Sequence, residues 1–176
     1  PDAKTQGLMT LEGIDMVLKL WQAEAPFEFK GQFWNLKITN ANAELGIGQM
    51  LKPYQQPHPP IAMSVIKGNS MAAHLAGQRG YIPISSSLVP ASTVMEHWKI
   101  YSSAAQEAGR ATPHRSNWRV ARSIYVGESN AEAREHAVSG TFGRSFKYIR
   151  TIIESLNTLH ILKHSPQVPD NEVTLD

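Results

Sequence analysis

The stretch Ile61-Ala62-Met63-Ser64-Val65-Ile66-Lys67-Gly68-Asn69-Ser70-Met71-Ala72-Ala73-His74-Leu75-Ala76-Gly77-Gln78-Arg79-Gly80-Tyr81-Ile82-Pro83-Ile84-Ser85-Ser86-Ser87 decides the fold. An apolar run from Ile61 to Ile66, a polar turn from Lys67 to Ser70, a segment from Met71 closed by Gly80, and a second apolar run read as strand, helix, strand. Two strands joined by a crossover helix run parallel, and the nearly continuous apolar run suits burial on both faces. In such α/β units the chemistry gathers at the carboxyl ends of the strands, which here means Lys67 to Met71.

Those residue types suit an anion. Gly68 lets the backbone approach a ligand, Asn69 or Ser70 can cap the helix, and the first free N–H groups would face whatever binds there, with Lys67 adding charge. A phosphate fits. Gly-Asn-Ser before a helix is also ordinary turn and cap chemistry that needs no ligand, so these residues alone leave both readings open.

Working outward, 176 residues suffice for a single domain with a real core, and 41% hydrophobic with 18% charged residues describes a globular chain. A net charge of +2 with scattered basic residues argues against a nucleic-acid surface. The absence of cysteine excludes disulfides and thiol nucleophiles, and no metal site is expected because no His pair stands with carboxylates at metal-ligand spacing. Neither a membrane-spanning run nor a signal sequence is recognisable, so a cytoplasmic location is the expectation.

Leu11, Ile14, Val17, Leu18 and Trp21 recur at helical spacing, predicting a helix from about 5 to 23 that ends before Pro26. Phe27 to Leu36, turning near Gly31, predicts a short hairpin or an extended excursion, and 37–60 reads as a loop followed by a stiff, Pro-rich lead-in. After Ser87, a capping box at Thr93 and Glu96 predicts a helix to Gly109, with Val94, Trp98, Tyr101 and Ala105 on one face. Trp118 to Val126 reads as a third strand, and Ser129 with Glu132 as the capping box of another helix. Gly140 and Gly143 should interrupt that helix before an apolar stripe resumes to about Leu162; the Pro-containing tail is expected to hold no stable element.

Gly31-Gln32-Phe33-Trp34, Lys52-Pro53-Tyr54-Gln55-Gln56-Pro57-His58-Pro59-Pro60-Ile61-Ala62, His97-Trp98 and Trp118-Arg119-Val120-Ala121-Arg122 resemble the bacterial-luciferase-like flavin monooxygenases, in the branch with alkanal and limonene monooxygenase-like proteins. The resemblance implies the C-terminal part of a (β/α)8 TIM barrel, incomplete as a barrel on its own, with Ile61–Ile66, Tyr81–Ser86 and Arg119–Val126 as strands six to eight. It further implies reduced FMN supplied by a separate flavin reductase, or F420 in one subgroup, with the flavin phosphate on Gly68, Asn69, Ser70 and Met71. Ser85 and Ser86 would touch the flavin or nearby phosphate oxygens.

By the same resemblance the chain begins near the helix after the fifth strand, so catalytic residues belonging to strands one to five would be absent and none is assigned here. His58, His74 and His97 are acid–base candidates only in principle, since helix and loop histidines usually lie on the surface. Three strands leave open edges, so a homodimer or another chain completing the barrel is expected. Three functions remain in view: a monooxygenase, or part of one, acting with O2 on a small apolar aldehyde, ketone or terpene; a truncated flavin-binding or dimerising relative without turnover; and a phosphate-binding barrel segment of isomerase or aldolase type.

Overall fold

The computed structural model describes residues 2–42, 44–48 and 51–175. The chain forms two compact units, Pro1–Pro59 and Pro60–Asp176.

In the first unit, helix α1 (Ala3–Gln22) starts slightly ahead of the apolar periodicity because Asp2 caps it, accepting from Thr5 N at 2.9 Å. Strands β1 (Phe27–Lys30) and β2 (Asn35–Ile38) form an antiparallel hairpin with Phe29 opposite Leu36. The Glu12 carboxylate receives the N–H groups of Gln32, Phe33 and Trp34, each at 2.8 Å, and Trp34 Nε1 donates to Met9 O at 3.0 Å. A Cβ on Gly31 would lie 2.0 Å from Glu12 Oε1, so a larger residue there would push the carboxylate off the turn it holds. Gly-Gln-Phe-Trp is therefore a hairpin turn locked onto α1.

In the second unit, β3 (Ala62–Val65), β4 (Ile82–Ser85) and β5 (Arg119–Val120) form a parallel sheet in the order β3-β4-β5. Helix α2 (Met71–Arg79) connects the first two strands and ends at Gly80, whose left-handed backbone (φ 72°) lets its N–H reach Ala76 O and Gly77 O. Helix α3 (Ala91–Glu107) packs on α2 where Ala73, Ala76 and Gly77 meet Tyr101, Ala104 and Ala105, all of them buried. Val65, Pro83, Ser85 and His97 are the fully buried larger side chains.

Four expectations change. Helix α3 begins at Ala91 behind Pro90 with no side-chain cap, so Thr93 and Glu96 form no capping box; Glu96 instead turns toward Gly68, whose added Cβ would lie 3.0 Å from Glu96 Oε2. The third strand is two residues long rather than spanning 118–126, because β4 ends at Ser85 and the chain beyond Ala121 has no strand to pair with. Gly140 does divide α4 (Asn130–Ser139) from α5 (Thr141–Ser155), but Gly143 sits inside α5, where a Cβ would come within 1.7 Å of Val138 O. Finally, the tail is ordered by packing. Short 3-10 turns at Leu159–Leu162 and Asp170–Glu172 carry Leu159 and Val173 into a cluster with Ile153.

Of the capping box expected at Ser129 one half forms, its Oγ accepting from Glu132 N at 3.2 Å, while Glu132 Oε2 reaches past the cap and accepts from Glu128 N at 2.9 Å. Among the described residues no helix is long and apolar enough to cross a membrane.

Candidate functional site

The turn after β3 brings Lys67, Gly68, Asn69, Ser70 and Met71 to the carboxyl end of the parallel sheet. Asn69 adopts the left-handed region at φ 50°, a conformation Asn tolerates through its short polar side chain. This reversal lets Ser70 cap α2 directly, its buried hydroxyl accepting from Ala73 N at 3.3 Å. The N–H groups of Gly68, Met71 and Ala72 have no protein acceptor among the described residues. Gly68, Asn69 and Met71 are exposed beside them. The ingredients for holding an anion, orphan amides at a helix start and a lysine, thus lie together.

Ser85 and Ser86 part company. Ser86, half-buried, donates its N–H to Val65 O at 3.0 Å, and its Oγ accepts from Leu88 N at 3.2 Å. Ser85 is fully buried and its Oγ lies between His97 Nδ1 at 3.1 Å and Trp118 Nε1 at 2.9 Å. Its hydroxyl faces the protein's own side chains; a role at a ligand would run through them.

His97 is the residue the sequence misplaced, for it is 0% exposed rather than a surface histidine. Its Nε2 lies 2.9 Å from Lys67 O. A carbonyl only accepts, so Nε2 carries the proton and Nδ1 is the acceptor for Ser85 O–H, while the Trp118 indole N–H donates to Ser85 Oγ. Burial pushes the imidazole pKa down, as does the Arg122 charge more weakly, against the raising effects of the Lys67 carbonyl and Glu96; the ring is held neutral. Spacing could have found it: His97 stands three residues after Val94 and four before Tyr101, on the buried stripe of α3. Trp118, in turn, stacks on Trp98 at 5.4 Å, with the Arg115 guanidinium 5.3 and 5.8 Å from the two rings.

His58 sits 6.1 Å from the Trp21 ring with Nδ1 2.8 Å from Pro59 O, and His74 lies on α2, 3.7 Å from the exposed Glu107.

A cleft of about 340 Å³ opens beside Gly68, walled by Lys67 and Glu96 on one side and by His160, Lys163 and His164 of the tail on the other. Lys163 pairs with Asp170, and Glu96 opposes an anion, so the cationic excess of the cleft is modest. Among the described residues no group of three or more His, Asp or Glu is placed to hold a metal.

Comparison with known proteins gives consistent relatives. The 3,6-diketocamphane 1,6-monooxygenase of Pseudomonas putida is 30% identical over 153 residues, covering 83% of this chain and 39% of that protein. The 2,5-diketocamphane 1,2-monooxygenase 1 of the same organism is 29% identical over 152 residues, with 83% and 41% covered. The solved oxygenating constituent of 3,6-diketocamphane monooxygenase, a type II Baeyer-Villiger enzyme in complex with FMN, superposes with a TM-score of 0.72 at 26% identity, over 96% of this chain and 46% of that one. A monooxygenase from Streptomyces bottropensis matches in fold at a TM-score of 0.65 and 19% identity. The chain spans about two fifths of the length of the curated relatives. No protein-family model matches it.

Proposed function

We propose, from the premise that this chain is homologous to the FMN-dependent luciferase-like monooxygenases, that it is the part of such an enzyme that holds the FMN phosphate. In this reading β3, β4 and β5 are the sixth, seventh and eighth barrel strands. The whole enzyme oxygenates a small apolar ketone of terpene type with O2, takes reduced flavin from a separate reductase, and works in the cytoplasm. The flavin, when bound, supplies the electrons for oxygen activation.

The observation that carries the proposal is the unpartnered set of amides on Gly68, Met71 and Ala72, beside Lys67, at the carboxyl end of a parallel strand. Gly68, Asn69, Ser70 and Met71 hold the phosphate in this assignment. Ser86 lines the neighbouring strand end, and Ser85 acts from behind. The donor chemistry suits a dianion, with orphan N–H groups at the start of α2 and Lys67 and Gly68 lining a cleft in which the Glu96 carboxylate opposes. The ring half of the cofactor is not walled by a closed barrel, because the parallel sheet among the described residues has three strands.

Titration of the 176-residue chain with FMN, riboflavin and inorganic phosphate, followed by amide chemical shifts, tests this. The expected result is weak binding of FMN and phosphate alike at Gly68–Ala72, with no riboflavin binding. Riboflavin binding as well as FMN, or either ligand moving other amides, overturns the phosphate assignment. A low-micromolar Kd for reduced FMN would instead show that the ring half is already built. Reductase-driven oxygen uptake with a camphor diketone separates a turning-over enzyme from a flavin-binding relative without turnover.

A further inference from the structure

The β3–α2 turn is short, exposed and partly left-handed, yet its first peptide is held from the interior. The Lys67 carbonyl receives a hydrogen bond from a histidine thirty positions away in sequence, on a different helix. A trans peptide is planar, with its C=O and N–H pointing to opposite sides. Drawing Lys67 O inward toward His97 therefore turns the N–H of Gly68, the other half of the same peptide, outward. That N–H has no acceptor among the described residues, and Gly68 lines the cleft.

We infer that His97 is a positioning residue for the anion site: as the middle member of the relay Trp118 N–H to Ser85 Oγ–H to His97 Nδ1, and His97 Nε2–H to Lys67 O, it fixes which way the Gly68 amide faces. The inference rests on the phosphate assignment above for its function, but its geometry does not depend on a ligand. The relay is directional and complete. The indole can only donate, and the carbonyl can only accept, so one tautomer of the imidazole and one rotor of Ser85 satisfy every partner. The relay also ties the ends of all three strands together, joining the turn after β3, Ser85 at the end of β4, and Trp118 just before β5. The charged groups facing the ring are Glu96 on its own helix and Arg122 beyond β5. Arg122 is itself committed to the loop after β4, donating to Val89 O at 2.9 Å.

Two measurements on the whole chain decide the matter. Long-range ¹H–¹⁵N correlation of the imidazole should show a neutral ring protonated at Nε2 at pH 7; an Nδ1-protonated ring or an imidazolium overturns the relay. The second compares H97Q, whose amide nitrogen reaches the place of Nε2, with H97L, which removes the donor. Gln is expected to keep the wild-type carbonyl ¹³C shift of Lys67 and the wild-type response of the Gly68 amide to inorganic phosphate. Leu is expected to lose both, with phosphate binding weakened about tenfold. Indistinguishable Gln and Leu variants overturn the positioning role. Should H97L not fold, S85A serves: the Lys67 carbonyl keeps the proton on Nε2, but Nδ1 loses its donor and its ¹⁵N resonance should move downfield, and an unmoved Nδ1 resonance overturns the relay. A wild-type chain that ignores phosphate while Gln and Leu still differ at Lys67 would count against the anion assignment and leave the positioning intact.

Discussion

Gly77→Ala tests how the orientation of α2 is set. A Cβ at this position would lie 2.3 Å from Tyr101 O, 2.9 Å from Ala104 Cβ and 3.1 Å from Ala105 N, two of the three being backbone atoms of α3 that cannot swing aside. A tolerable C···O approach is about 3.3 Å, so the helices must separate by about 1 Å. Overpacking of this kind costs about 1–3 kcal/mol, against which alanine returns up to about 1 kcal/mol of helix propensity over glycine. With backbone atoms in the clash the cost falls at about 2–3 kcal/mol, so the expected net loss is about 1–2 kcal/mol, which for a domain of this size lowers Tm by roughly 2–8 °C. Because α2 is a nine-residue rod whose first turn carries Ser70 and the orphan amides, the separation should also shift the amide resonances of Gly68–Ala73. Circular dichroism melting and a ¹H–¹⁵N spectrum measure both. An alanine variant as stable as the wild type, with those resonances unmoved, would refute close backbone packing as what fixes the helix.

Three further outcomes follow from particular contacts. His97 has a folded pKa below its ordinary value near 6.5, so the unfolded chain binds the proton more readily. The stability from its neutral ring is full above about 6.5, declines as pH falls below that value and is gone once pH has passed the folded pKa; urea midpoints from pH 7 to 5 should fall, and fall less in H97Q. At Glu12 partial burial alone would raise the carboxyl, but the N–H groups of Trp34, Phe33 and Gln32 together outweigh it and hold the pKa low. Its contribution is present above the unfolded carboxylate range and lost as pH falls through the folded value, so E12Q should lower Tm at neutral pH and flatten the acid limb of the Tm profile. Val173→Asp puts a charge into the cluster of Ile153 and Leu159 at a cost of about 2 kcal/mol or more, and limited proteolysis should then release the tail beyond Leu162.

What could be read from the sequence was set by neighbours along the chain. The β3–α2–β4 unit was legible because Ser70 and Gly80 act through bonds to residues three or four away, and the turn Gly68–Met71 is contiguous. What was missed depended on distant partners. The length of β5 is set by where β4 ends, and no residue between Trp118 and Val126 carries that information. The Thr93–Glu96 pair matched a capping box, but Pro90, already extended at ψ 155°, starts the helix before it. The engagement of Ser85 needs an indole 33 residues away and an imidazole 12 away, and neither separation corresponds to a local motif. The tail packs because Val173 meets Ile153, a contact no periodicity within its own residues announces.

Pro83 shows how the short third strand and the relay belong together. A proline in the middle strand of a sheet should cost a ladder bond. Along β4, however, Ile82 and Ser86 turn their N–H groups to β3, donating to Ile61 O and Val65 O, while Ser85 faces the other way and accepts from Ala121 N. Pro83 shares the facing of Ser85, so its missing N–H points to the β5 side. There, pairing begins one residue later, with Ile84 opposite Arg119. The proline thus leaves no partner wanting, provided β5 starts no earlier. Trp118, the residue just before that start, is freed from the ladder at the level of Pro83, and its indole turns to Ser85 at 2.9 Å. The late start of β5 therefore both accommodates the proline and supplies the first donor of the chain of bonds that ends at Lys67.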